Sequence, residues 1–252
     1  MFRSADLFSS KTLQTMFKTP MVIAIDGPTA SGKGTLAARL AKRLDFGYMD
    51  TGALYRGVAK TALDAGLDPS KKQDAVKAAK ILLEKYTPAI QDDPAIRSEA
   101  VSRGASEVAA VPEVRNILHD IQVKFAKEGS GVKHEARLNG VVLDGRDIGT
   151  VICPDAHIKF FIDAKAEVRA ERRASQLEQK GQKVDRAQIM KDLQIRDGRD
   201  TSRNVAPTLP AEDAFIIDTS SLDSNEVLAR ALDIVRGYLV GARAAAKAKT
   251  DA

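Results

Sequence analysis

The chain has 252 residues, 44% of them hydrophobic, which is enough for one substantial α/β core with room for a small mobile subdomain. Its 39 Lys and Arg against 34 Asp and Glu leave a net charge of +5 and a pI near 9.2, a balance that suits nucleic acid and anionic metabolites alike. A single cysteine, Cys153, excludes an internal disulfide framework and fits an intracellular, cytoplasmic chain, and no apolar run approaches the length of a bilayer span.

Residues 1–20 carry Arg3, Lys11 and Lys18 among several Ser and Thr. A transit peptide has that flavour, but Asp6 and the lack of a cleavage pattern favour a disordered extension, or a true start at Met16 or Met21. Ser9 or Ser10 is a candidate cap for a short helix there. The main domain is expected over residues 21–240.

It opens with an apolar run at residues 21–25, then GPTASGKGT, then a segment at 33–44 whose Leu36, Ala37, Leu40, Ala41 and Leu44 recur at helical spacing. The order is strand, glycine loop, helix, which is the order a phosphate-binding loop needs. Gly27, Pro28, Thr29, Ala30, Ser31, Gly32, Lys33, Gly34 and Thr35 form that loop. Its glycines let successive N–H groups and the positive end of the helix point at a polyphosphate, and Lys33 adds a mobile charge. Gly34 separates the lysine from the hydroxyl of Thr35, the GxxxxGKGT variant seen in nucleoside-monophosphate kinases.

DTGALYR follows, with Thr51 as the expected N-cap of a helix that brings Arg56 to the rim of the loop. The spacing of Val76, Ala79 and Leu83 predicts a helix over 70–86, and 88–93 is a break. Pro94 and Pro112 open the first turns of helices expected over 94–111 and 112–127, and 128–139 reads as an exposed polar loop. After a buried-type strand at 141–143 comes DGRDIGT, which should emerge beside the phosphate loop. Asp144 ends its strand as a Walker B aspartate does, an expected holder of Mg²⁺, directly or through water. The bland alternative is a salt-bridged turn.

A further strand is expected at 158–162, and a helix over 164–180 carries Arg169, Arg172 and Arg173 before Gly181 breaks it. Asp185 should cap the next helix, on which Arg196, Arg199, Asp200 and Arg203 share one face. A helix laced with ion pairs is one account of this arginine-dense hairpin; a lid over phosphates is the other. A strand at 215–218, a closing helix at 224–239 and a frayed tail at 241–252 complete the chain. His119, His134 and His157 stand alone and read as surface or helix residues, not ligands.

Arg56, Arg115, Arg146 and the group from Arg196 to Arg203 come from four segments, more positive charge than one triphosphate with its magnesium requires, so a second anion is implied. If that acceptor is itself a phosphate, no catalytic histidine or cysteine is needed, because a phosphate monoester with a second pKa of about 6 is largely dianionic at neutral pH.

The blocks GPTASGKGTLA, DTGALYR, SEVAAVPEVR, LDGRDIGT and RDGRDTSRNVAP, in this order, resemble bacterial cytidylate kinase over residues 21 to about 238. The resemblance implies a three-layered P-loop NTPase fold with a central parallel sheet, a helical nucleotide-binding lobe at about 53–127 and a helical lid at about 165–203. It implies ATP and CMP or dCMP as substrates with Mg²⁺, in a monomer with no nucleic-acid or membrane partner. Residues 27–35 would then hold the ATP phosphates, with Arg172 and Arg173 on the donor side, and Lys33, Arg146 and Arg203 would act on the transferring group. Arg56, Arg146 and Arg203 would hold the acceptor phosphate, Arg196 and Asp200 the ribose, and Ser106, Arg115 and Asp147 the cytosine edge, with Thr51 nearby. Thr35 and Asp144 would serve the metal. Two features depart from the family pattern: residues 83–99 are too short for the small antiparallel insert common in the acceptor region, and 128–139 is long and polar. A UMP-preferring kinase of the same fold and a nucleotide-dependent RNA-binding protein are the rival readings; against the second, aromatics make up only 5% of the chain.

Overall fold

The computed structural model describes residues 17, 19–129, 139–179, 181–203 and 205–250. In chain order β1 (Met21–Asp26) leads to α1 (Lys33–Leu44), β2 (Gly47–Asp50), α2 (Thr51–Asp64) and α3 (Lys72–Glu84). Two short 3-10 turns (Pro88–Asp92 and Pro94–Arg97), α4 (Glu99–Val108), α5 (Pro112–Glu128) and β3 (Gly140–Asp144) follow. A π turn (Ile148–Ile152), β4 (Ile158–Asp163), α6 (Ala166–Glu178), α7 (Arg186–Ser202), β5 (Phe215–Asp218) and α8 (Ser224–Thr250) complete the fold.

The strands pair in parallel in the order β2-β3-β1-β4-β5. Because strand side chains alternate, Ile23 and Ile25 join Val142, Phe160 and Ile162 on one face, where α1 and α8 cover them with Leu36, Leu40, Val227 and Val235. Ala24, Val141 and Leu143 face the other way, under Phe125 and Ala126 of α5 and Ile148 and Ile152 of the π turn. A second core lies outside the sheet: Leu54 and Val58 of α2 pack with Ala75, Ala78, Ala79 and Leu82 of α3, Val108 of α4, and Val114 and Leu118 of α5. This is the three-layered α/β architecture expected of the chain.

Several local expectations are corrected. The helix expected over 94–111 is divided, since Asp93 caps the 3-10 turn through the N–H of Ala95 (2.8 Å) and Ser98 starts α4 by accepting from the N–H of Val101 (3.4 Å). On α3 the apolar stripe is turned by one residue, so that Leu82 packs over Gly57 while Leu83 is exposed. Thr51 is not the cap of α2; Asp50 is, accepting from the N–H of Ala53 (3.2 Å), and Thr51 is the first helical residue. The tail expected to fray from 241 continues α8 to Thr250, in keeping with its alanine-rich, helix-favouring composition. Phe17, assigned to a disordered extension, packs edge-on against His157 (4.9 Å between centroids) and stacks on Tyr238. Residues 1–16, with the Ser9, Ser10 and Met16 readings, and most of the 128–139 loop, with His134, lie outside the described residues. No helix among the described residues is long and apolar enough to cross a membrane.

Candidate active site

The connection from β1 to β2 and that from β3 to β4 run in opposite directions across the sheet, so the carboxyl ends of the neighbouring strands β1 and β3 are where a ligand collects. A cavity of about 530 Å³ opens there. The loop after β1 must turn back against the exit of β4: at Gly27, with φ +146°, a Cβ would collide with the backbone carbonyl of Ile162. Gly32, also left-handed, caps α1, and Lys33 donates from Nζ to the carbonyl of Pro28 (3.3 Å). Other carbonyls of the loop are likewise engaged. Ser31 accepts from Thr219 Oγ1 (2.9 Å) and Arg172 Nη1 (3.3 Å), and Thr29 accepts from Arg169 Nη1 (3.3 Å). Carbonyl oxygens that would repel a phosphate are thereby occupied, and the amino end of α1 faces the cavity with Thr29, Ala30, Gly32, Lys33, Gly34 and Thr35 on its wall.

β3 delivers Asp144 to the same end of the sheet, in register with Ile25 of β1 and Asp50 of β2. Its carboxylate accepts from the Tyr48 hydroxyl (3.1 Å), its backbone carbonyl accepts from Thr51 Oγ1 (2.8 Å), and it approaches Gly34 closely. Burial and the neighbouring Asp50 push the Asp144 carboxyl well above the usual range, against the pull of Lys33. The reciprocal holds for Lys33, which burial and Arg146 push down to about 7. With Thr35 in the first turn of α1 this is a set of hard oxygen donors, a carboxylate beside a hydroxyl, of the kind that suits Mg²⁺ shared with phosphate oxygens.

The guanidinium groups predicted from distant segments converge. Lys33, Arg56, Arg97, Arg115, Arg146, Arg173, Arg196 and Arg203 line the cavity with four carboxylates, those of Asp50, Asp144, Asp147 and Asp200, so cations outnumber anions by two to one. Arg56 pairs with Asp50 (2.5 Å), and Arg97 approaches the same carboxylate (3.7 Å). Arg146 bridges Asp200 (3.0 Å) and the hydroxyl of Thr29 (2.7 Å), which ties α7 to the phosphate loop. Arg203 donates from Nε to the carbonyl of Ala206 (2.5 Å). Among the described residues, buried donors on Arg56 (Nε), Arg196 (Nε) and Arg203 (Nη2) have no hydrogen-bond partner. Burial, with Arg146 nearby, lowers Arg196 to about 10. Crowded, desolvated guanidiniums with spare N–H groups form a receptor for anionic oxygens.

Elsewhere on the wall Arg115 is buried in an ion pair with Asp147 and lies over the ring of Tyr55 (5.5 Å). Ser106, on α4, also lines the cavity and accepts from Arg199 of α7 (3.1 Å). Thr51 is also on the wall. Four of the predicted residues are not on the cavity wall: Gly27, Pro28 and Ser31 of the loop, and Arg172, whose guanidinium bonds go to Ser31 and Thr219. Arg169, Tyr48, Asp50, Tyr55, Arg97 and Asp26 had no assigned role in the sequence reading. For Asp50 the signal was present, since an aspartate before a helical run is a standard cap; for Arg97 none was.

A sequence model described as cytidylate kinase matches residues 23–237. The cytidylate kinase of Rhodopseudomonas palustris (strain ATCC BAA-98 / CGA009) is 48% identical over 223 residues, covering 88% of this chain and 99% of that protein. That of Methylocella silvestris is 48% identical over 216 residues, covering 85% and 94%. Among solved structures, an uncharacterized protein from Eubacterium ventriosum ATCC 27560 aligns over 87% of this chain and 98% of its own at a TM-score of 0.46 and 17% identity. With a phosphate loop facing an arginine-lined cavity and near-full-length matches of this identity, the chain belongs to the cytidylate kinase family.

Proposed function

We propose that the protein is a cytidylate kinase, a phosphotransferase that moves the γ-phosphoryl group of ATP to CMP or dCMP, giving ADP and CDP or dCDP. The observation that carries this reading is the convergence of eight cationic side chains on one cavity whose wall includes both the phosphate loop and the Arg115–Asp147 pair. Two anions held in one cleft need that much positive charge.

In this reading residues 27–35 cradle the donor phosphates, with Arg173 on the donor side. Arg56, Arg146 and Arg203 hold the acceptor phosphate, Arg196 and Asp200 meet the ribose, and Ser106, Arg115 and Asp147 read the cytosine edge, which offers an amino donor beside ring acceptors. An oxygen of the acceptor phosphate attacks the γ-phosphorus, a new P–O bond forms, the bond to the β,γ-bridging oxygen breaks, and ADP carries away the electron pair. No proton need be removed first, since the acceptor is largely dianionic above a pH of about 6. Lys33, Arg146 and Arg203 then stabilise charge on the equatorial oxygens as it spreads. Thr35 and Asp144 fit a Mg²⁺ ion by donor chemistry, and when bound it neutralises the donor phosphates.

We infer a mobile lobe at about 53–127, a lid at about 165–203, action as a cytoplasmic monomer, and a place in pyrimidine nucleotide metabolism. The reading is tested by ADP formation from ATP and magnesium with CMP, dCMP, UMP and AMP in parallel. CMP or dCMP should be the best acceptor. UMP or AMP in first place would overturn it.

A further inference from the structure

Asp26, the last residue of β1, is nearly fully buried at 4% exposure, and both of its oxygens accept from backbone amides: Oδ1 from Ile148 and Oδ2 from Gly149, each at 2.8 Å. Three residues upstream of Ile148, the N–H of Gly145 donates to the carbonyl of Ile25 at 2.9 Å. The last two residues of β1 therefore grip both ends of the turn that carries Arg146 and Asp147. Between these grips Arg146 reaches Thr29 and Asp200, and Asp147 pairs with Arg115.

We propose that Asp26 is a positioning residue for the acceptor nucleotide, fixing the turn at 145–149 so that Arg146 meets the acceptor phosphate while Asp147 and Arg115 meet the base. The proposal rests on the cytidylate kinase reading. The chemistry requires a carboxylate: two N–H donors converge on one side chain, and a carboxylate is acceptor at both oxygens, whereas an isosteric amide offers a donor to one of them. A buried carboxylate is a costly way merely to fill space, because its charge is desolvated. What it supplies that an apolar residue cannot is a two-point anchor for backbone that has left the sheet. Asp26 immediately precedes Gly27, so the anchor also sets the acceptor turn in fixed relation to the phosphate loop.

The test is Asp26→Asn, read by steady-state kinetics and by amide hydrogen exchange of the purified full chain. Exchange at Ile148 and Gly149 should quicken by about tenfold or more while the sheet stays protected. The KM for CMP should rise by about tenfold, as expected for one buried acceptor turned into a donor. The preference for CMP over UMP should narrow, and the KM for ATP should stay within about twofold. If Asp26→Asn does not accumulate folded, Gly149→Ala replaces it: its Cβ would lie 3.2 Å from Lys159 Cδ and 3.3 Å from Lys159 Cγ, with Asp26 Oδ2 at 3.4 Å, so it crowds the residue whose amide Asp26 holds without removing a charge. A smaller shift of the same pattern, about threefold in the KM for CMP, is then expected. Unchanged exchange at the two amides would overturn the proposal, as would KM values for ATP and CMP that rise together with unchanged CMP-over-UMP preference. Wild-type turnover of CMP in the same assay tests the underlying reading separately, and the exchange measurement judges the anchor whichever way that falls.

Discussion

Lys33 sits between opposing influences: burial and Arg146 press its ammonium group to lose a proton, and Asp144, Asp50 and Asp200 press it to stay charged. A polyphosphate in the loop adds anionic oxygens to the second set, so the lysine is charged most securely when the donor is bound. Lys33→Ala is expected to lower kcat by about 10²–10³-fold and the melting temperature by less than about 4 °C. Parallel losses in both would mean that the lysine supports the fold and not the reaction. Asp147 shows the opposite balance. It is buried against Arg115, so Asp147→Ala leaves a desolvated guanidinium unpaired and should cost about 3 kcal/mol of stability. It should also weaken selection of CMP more than binding of ATP, which calorimetric binding of each nucleotide would check. Asp26 offers a pH experiment. Burial raises its carboxyl to about 6, the amides of Gly149 and Ile148 pull the other way, Asp147 raises it further, and Lys33 opposes; Cys153 and the side chain of Lys159 lie close by as well. Between its unfolded value of 3.8 and about 6 the folded state holds the proton more tightly, so this residue's contribution to stability grows as pH falls through that window and is lost as pH rises above it. The stability difference between wild type and Asp26→Asn should therefore move in favour of wild type by about 1–3 kcal/mol from pH 7 to pH 4.5. A pH-independent difference would show that the carboxyl titrates as an exposed one does.

At the scale of elements, the phosphate loop was legible because it is local: an apolar run, closely spaced glycines and a helical stripe all fall within residues 21–44. What stabilises its shape was not legible, since the hydrogen bond from Thr219 to Ser31 and those of Arg172 to both join residues that are far apart in sequence. Arg172 resembles a ligand arginine in sequence because charge spacing on a helix says which face it occupies, not what that face meets. Here the face meets the loop and the end of β5. Arg172→Ala should accordingly cost about 2 kcal/mol, or about 4–8 °C in melting temperature, through lost hydrogen bonds to backbone carbonyls. Arg173→Ala, whose partner is the exposed Glu99 at 3.5 Å, should change melting by less than about 2 °C while raising the KM for ATP. Thermal melts of the two variants side by side distinguish anchor from ligand. The split of the helix expected over 94–111 has the same origin as the missed Arg97. Two competing start signals, Pro94 and Ser98, lie four residues apart, and only packing of Ile96 into the core decides that both are used.

Over the whole molecule the charge count is legible from composition alone, whereas its destination in one cavity is legible only through the family resemblance. That Arg56, Arg115, Arg146, Arg196 and Arg203 share one cavity depends on β3 lying between β1 and β2 and on α7 folding back over the loop, through Arg146 with Asp200, Arg169 with Asp197 (2.6 Å) and Arg199 with Ser106. Concentrating eight cations against four carboxylates in one cavity carries a cost in the free protein: burial first, and repulsion from Arg146, Arg173 and Arg56 second, lower the pKa of Arg196. Anions that enter should relieve that cost, so substrates should stabilise the fold strongly and do so through charge. CMP at about a hundred times its Kd should add roughly 2.7 kcal/mol, raising the melting temperature by about 5–10 °C. The Kd itself should weaken as salt is raised from 50 mM to 500 mM, because the interaction is screened. Cytidine lacks the phosphate and should bind far more weakly, with little dependence on salt. Equal stabilisation by cytidine and CMP, or a CMP affinity indifferent to salt, would mean that the arginines bind each other's carboxylate partners well enough to need no anion, and that the cavity is held together by base recognition alone.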